Sequence, residues 1–160
     1  MKPLKTIAVS FVLVAVSLSS FAWADSHAKK PSFIAIKASN LKWKDAPSVA
    51  PGAKIAVLEG NLKAAGPFTF RLMLPANSKI DLHTHPTYER VTILSGALLF
   101  AIGDKFDTTK AEEYTPGDAF IVPPGMPMYG LAKEETIVQI HGTGPWGIDF
   151  LNSADAQKKK

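Results

Sequence analysis

His83-Thr84-His85-Pro86-Thr87-Tyr88-Glu89 is the stretch on which the reading of this chain turns. Side chains alternate faces along a β-strand, so His83 and His85 point the same way. Pro86 has no N–H to give to a ladder and ends regular pairing. The chain can turn there and bring Glu89 back toward the two imidazoles. Two imidazoles and one carboxylate on a face make a facial metal-binding set with open positions. The competing reading is a half-buried strand with two incidental histidines. The chain has four histidines, and two of them fall here.

Outward from this stretch, short apolar runs alternate with turn residues. Candidate strands cover residues 32–37, 54–58, 68–74, 80–83, 90–94, 97–102, 119–122, 128–131, 136–141 and 147–151. Pro51-Gly52, Gly60-Asn61, Pro75-Ala76-Asn77, Ser95-Gly96, Pro116-Gly117-Asp118 and Pro123-Pro124-Gly125 punctuate them. Strands at such intervals predict an all-β, antiparallel sandwich or barrel. Only residues 108–113 and the tail after 153 offer a helical turn. Phe68, Phe70, Leu72 and Leu74 share one face of their strand and predict a core face. Arg71, on the other face, either reaches a cavity as a charge for an acidic ligand or is a solvated strand residue. Val91-Thr92-Ile93-Leu94, the turn Ser95-Gly96 and the run 97–102 read as a hairpin, with glycine where a positive φ is needed. Phe120 and Val122 are expected to pack the interior.

Residues 1–24 read as a secretory signal peptide. Lys2 and Lys5 precede an apolar run beginning at Ile7, and Ala22-Trp23-Ala24 is a small-x-small cleavage site. The apolar run is short for a membrane span, although a retained anchor is the alternative. Cleavage after Ala24 leaves residues 25–160, 136 residues, which is one domain. The leader carries two of the 18 Lys+Arg and none of the 14 Asp+Glu, so the remainder holds 16 against 14, a net +2. Export predicts a periplasmic or secreted protein, with no membrane association once the signal is removed. The absence of cysteine excludes a disulfide scaffold and a lipid-anchored lipoprotein, so the fold stands on its core. No basic stripe interleaved with aromatics points to nucleic acid. Residues 25–31 and 153–160, the latter including Lys158-Lys159-Lys160, read as loose tails around a barrel core of about 53–151. A new N-terminus Asp25-Ser26-His27 has the groups to wrap Cu(II) or Ni(II) in a square plane, or is a solvated tail.

His83, His85, Glu89 and Gly96, followed by Gly117, Pro123 and Gly125, give the chain two motifs in order. They resemble those of the cupin superfamily, G-x5-H-x-H-x3/4-E-x6-G and G-x5-P-x-G-x2-H-x3-N. The leading glycine of the first motif falls on Asn77, which tolerates left-handed geometry. The resemblance covers roughly residues 66–142. It implies a cupin-type double-stranded β-helix, a jelly-roll barrel. It also implies one divalent transition metal, with Fe, Mn, Ni, Cu and Zn undistinguished. The second motif's histidine, usually the fourth ligand, falls on Met128, and its asparagine falls on Ala132. Three readings follow. Met128 is a core residue beside a three-ligand site; or His141, on the next strand, supplies an imidazole from another direction; or the site is empty or takes a soft metal with Met128. His141 also reads as a histidine bonded to backbone near Gly142-Thr143-Gly144-Pro145. Tyr88 and Tyr129 neighbour ligand positions and so face away on a strand. Trp146 reads as an apolar cover.

The resemblance associates such barrels with dioxygenase, isomerase, lyase, sugar-binding and metal-sensing roles, and the fold does not choose among them. The first expectation is an exported metal-dependent enzyme on a small polar or acidic metabolite. The second is a non-catalytic module that binds or senses a metal or small ligand. A third is a barrel working through dimerisation. Cupins often pair through edge strands, and residues 32–58 offer such an edge for a homodimer.

Overall fold

Strand alternation decides which side of each element is buried. In β3 (Gly66–Leu74) Phe68, Phe70, Leu72 and Leu74 are buried, whereas Thr69, Arg71 and Met73 are only partly covered. Each such side chain removed from water is worth about 1.5–3 kcal/mol, so one face of this strand fixes its register against the rest of the core. The same period of two runs through β5 (Glu89–Ser95), where Val91 and Ile93 point inward, and β10 (Thr136–Gly144), where Val138 and Ile140 do.

The computed structural model describes residues 33–151. The chain divides into two units, residues 1–34 and 35–160, and the strands belong to the second. The expected leader, Asp25-Ser26-His27 and Lys158-Lys159-Lys160 lie outside the described residues.

Two antiparallel sheets make the architecture, an all-β jelly roll as expected. The first has the order β1 (Lys44–Asp45), β2 (Lys54–Glu59), β3, β10, β5, β8 (Ala119–Val122). The second has the order β11 (Asp149–Phe150), β4 (Lys79–Thr84), β9 (Met128–Ala132), β6 (Leu98–Ile102), β7 (Glu112–Tyr114). Between them sits a core that includes Phe68, Phe70, Leu74, Ile93, Leu98, Phe100, Val122 and Met128. Phe120 stacks on Phe100 with ring centroids 4.0 Å apart, as its inward position predicts. Ala46, Val49, Ala50 and Ala53, from the turn before β2, also join this core.

Several expectations are corrected. Residues 33–37 form no strand and lead into a single 3-10 turn, Ala38–Asn40. The segments around Ser95-Gly96 are not a hairpin. β5 pairs with β10 and β8, whereas β6 pairs with β9 and β7, so the turn is a corner that carries the chain from one sheet to the other. Gly96 has φ 79°, and a Cβ there would stand 2.4 Å from the Glu135 carbonyl oxygen and 2.5 Å from Thr136 Oγ1. Glycine is required both by the turn and by this close approach. Hairpin and corner share the same alternation and the same turn residue; only pairing tells them apart. Residues 108–113 give a 3-10 turn, Thr108–Lys110, and then β7, whose Glu112 and Glu113 are weak strand formers held at a sheet edge. Arg71 does not reach a cavity. Its Nε donates to Gln139 Oε1 at 3.2 Å, across the β3–β10 ladder on the outer face.

Candidate metal and ligand site

β4 delivers the first imidazole. Leu82 turns outward to a small cluster with Ala101 and Tyr129, and His83, one residue on, turns into the space between the sheets. The strand ends at Thr84, and His85 continues the inward face just beyond it. The turn at Pro86 then returns the chain so that Glu89, the first residue of β5, enters the same space. His83, His85 and Glu89 are 5%, 3% and 5% exposed. Asn77, where the family pattern has glycine, adopts φ 60°, the left-handed geometry expected of it.

Hydrogen bonds fix both imidazoles. His83 Nδ1 lies 2.6 Å from the Asp81 carbonyl oxygen, and His85 Nδ1 lies 2.5 Å from that of Gly147. A carbonyl only accepts, so each Nδ1 carries the proton and each Nε2 is turned to the cavity. This is the arrangement by which a ligating histidine is oriented from behind. The rings stand edge to face with centroids 4.9 Å apart. His85 Nε2 lies 3.3 Å from Glu89 Oε2. Burial lowers the His85 pKa, but the hydrogen bond and charge of Glu89, the Gly147 carbonyl and the charge of Asp149 together outweigh it and hold the value above the usual imidazole range. At His83 burial prevails over the Asp81 carbonyl, and the value is lowered.

Trp146 is the residue that sequence reasoning missed. Its indole Nε1–H donates to Glu89 Oε1 at 3.1 Å, and its ring stacks on His85 with centroids 5.4 Å apart and packs edge-on against Phe70. It stands on the segment that crosses from the end of β10 to β11, which pairs with β4 beside His83. That one segment supplies the carbonyl behind His85, the donor to Glu89 and the lining residue Ile148. The motif Gly144-Pro145-Trp146-Gly147 marks a turn in the sequence but carries no signal of what its aromatic ring touches.

His141 is not brought to this place. It is exposed on the outer face of β10, opposite Thr69 and Arg90. Met128 is brought there: it is buried in β9, opposite His83 in the ladder, and lines the cavity. Tyr129 points the other way and donates its hydroxyl to the Asp107 carbonyl oxygen at 2.9 Å. Tyr88 is exposed, with the Arg90 guanidinium 5.5 Å above its ring.

In kind, two Nε2 atoms and a carboxylate suit a first-row divalent ion. In placement they are not closed on one point. Among the described residues no three His, Cys, Asp or Glu side chains stand in an ion-holding group. The reason is visible in Glu89, whose two oxygens are turned to Trp146 and to His85. Beyond the three polar groups the cavity is apolar, walled by Leu72, Leu74, Val91, Leu98, Phe100 and Val138 among others. The sequence had suggested a polar metabolite; these walls offer it nothing to bond.

No curated protein matches this chain in sequence. Solved structures do match in fold. RemF, a polyketide cyclase of Streptomyces resistomycificus, superposes with TM-score 0.64 at 15% identity, over 78% of this chain and 89% of its own. An RmlC-like cupin of Shewanella frigidimarina NCIMB 400 gives 0.56 at 14%, over 71% and 91%. KdgF of Halomonas sp. gives 0.55 at 17%, over 71% and 93%. At such identities the likeness is one of fold. The cupin family model matches residues 55–144, from β2 to the end of β10. That stretch holds His83, His85, Glu89 and both sheets, and by it this chain belongs to the cupin family.

Proposed function

We propose that the protein is an exported cupin that holds one divalent transition metal through His83, His85 and Glu89 and meets a small-molecule ligand in the adjoining cavity. One observation carries this reading: both buried imidazoles have Nδ1 committed to a backbone carbonyl and Nε2 turned inward beside a buried carboxylate. A half-buried strand with incidental histidines has no reason to orient two rings this way. A bound ion would act as a Lewis acid toward an oxygen of the ligand. The chain's own residues do the rest. The Asp81 and Gly147 carbonyls hold the ring tautomers, Trp146 holds Glu89 Oε1, and the apolar walls exclude water. His85 keeps a proton between its Nε2 and Glu89 until a cation displaces it, so uptake releases a proton.

A second reading, a module that binds without catalysis, is favoured by the lining. His83, His85 and Glu89 are its only titratable side chains apart from Tyr129, whose hydroxyl points away. With Met128 in place of the family histidine, no separate acid or base remains to move protons. Turnover of the ligand on the metal-loaded protein divides the two readings.

Elemental analysis after reconstitution with Fe, Mn, Ni, Cu and Zn tests the site. One equivalent is expected, lost in His83→Ala and His85→Ala and kept in His141→Ala. Equally little metal in all four proteins would end the proposal. Export is checked by the mass of the secreted form, which should begin at Asp25.

A further inference from the structure

We infer that the cavity selects a short aliphatic ligand bearing a single oxygen-donor head group, not a polyhydroxylated metabolite. The head-group part rests on the metal reading; the selection of the tail does not. Every polar side-chain atom that reaches the cavity lies at one end, on His83, His85 and Glu89. Most of their bonding capacity is already used. The two Nδ1 atoms face carbonyls, and Glu89 Oε1 accepts from Trp146. Along the walls there are aliphatic and aromatic carbons only, from Val49 at one side to Ile148 at the other. A hydroxyl on the tail of a ligand would leave water and find no partner there.

Size narrows the class further. The cavity measures about 50 Å³. A water needs about 10–15 Å³ on that scale, and a cavity that takes up benzene measures about 150 Å³. The space suits a chain of a few carbons and rejects an aromatic ring. Each methylene buried along the wall should tighten binding about fourfold, until the space is full.

The test is a homologous series followed by protein NMR. Zn(II)-loaded protein, its loading established by elemental analysis, is titrated with acetate, propionate, butyrate, benzoate and 3,4-dihydroxybutyrate. Metal-free protein is titrated with 1-propanol and glycerol. Affinity is expected to rise about fourfold per methylene from acetate to butyrate. Benzoate should be excluded, and the dihydroxy acid should bind at least about tenfold more weakly than butyrate. Propanol should shift cavity resonances and glycerol should not. In Ile148→Ala, a truncation at a half-buried wall position, the optimum should move to a longer homologue, which a merely structural change would not do. A flat series, equal binding of the hydroxylated partner, or no shift with any probe overturns the inference. Failure to load Zn(II) strikes the metal reading alone, because the propanol–glycerol pair still decides the class.

Discussion

Replacing Trp146 by phenylalanine removes one hydrogen bond and leaves an aromatic ring. The bond lost is the indole N–H to Glu89 Oε1, 3.1 Å long, at a carboxylate that is 5% exposed. A hydrogen bond to a charged group contributes about 1.5–3 kcal/mol, and phenylalanine keeps the stack on His85 and the edge contact with Phe70. Trp146→Phe should therefore destabilise the metal-free protein by about 1.5–3 kcal/mol. Trp146→Ala also forfeits the two ring contacts, each worth about 0.5–1.5 kcal/mol, and should lose about 3–5 kcal/mol in all. Urea unfolding at neutral pH gives both numbers. The indole also orients Glu89 from behind, and loss of such a partner typically weakens metal binding about 10–100-fold, which chelator competition measures. In a Glu89→Ala background the Phe substitution should cost under about 0.5 kcal/mol, because its partner is gone. A cost near 2 kcal/mol that persists in that background would show that the indole serves packing and does not hold the carboxylate.

Met128→His places an imidazole opposite His83 in a wall that already faces the cavity; Zn(II) affinity should rise by roughly tenfold, about 1.4 kcal/mol, and an unchanged affinity would show that β9 does not address the ion. In metal-free protein His85 should titrate above His83 by NMR, since Glu89 and its neighbours outweigh burial at the first ring and burial prevails at the second. The sign follows: His85 binds its proton more tightly folded than unfolded, so that stabilisation is complete below about pH 6.5 and fades as pH rises through the folded value. Metal uptake runs the other way and weakens on acidification, as protons reclaim His85 first and His83 later; coincident midpoints for the two rings would contradict both statements. Gly96→Ala forces a side chain into φ 79° and against Glu135 and Thr136, and should cost at least about 1–3 kcal/mol in denaturant unfolding.

Much of this protein could be read before folding was considered. The alternation of Phe68, Phe70, Leu72 and Leu74 fixed a core face, because the period of a strand is local and burial acts on every second residue. The pair His83 and His85 with Glu89 beyond Pro86 marked the place of the site for the same reason, and the positive φ at Asn77 was legible from its residue type. The cupin motifs named the fold from spacing alone. What the sequence left undecided were contacts made at a distance along the chain. The turn at Ser95-Gly96 changes sheets because its strands find partners in β10 and β9, some 30 to 40 residues away. Arg71 is turned outward to Gln139 by that same pairing. Trp146 meets Glu89 across 57 positions, and His141 is left outside because its strand alternates Ile140 inward. Local chemistry supplied the donors; long-range pairing settled which of them share one dry cavity.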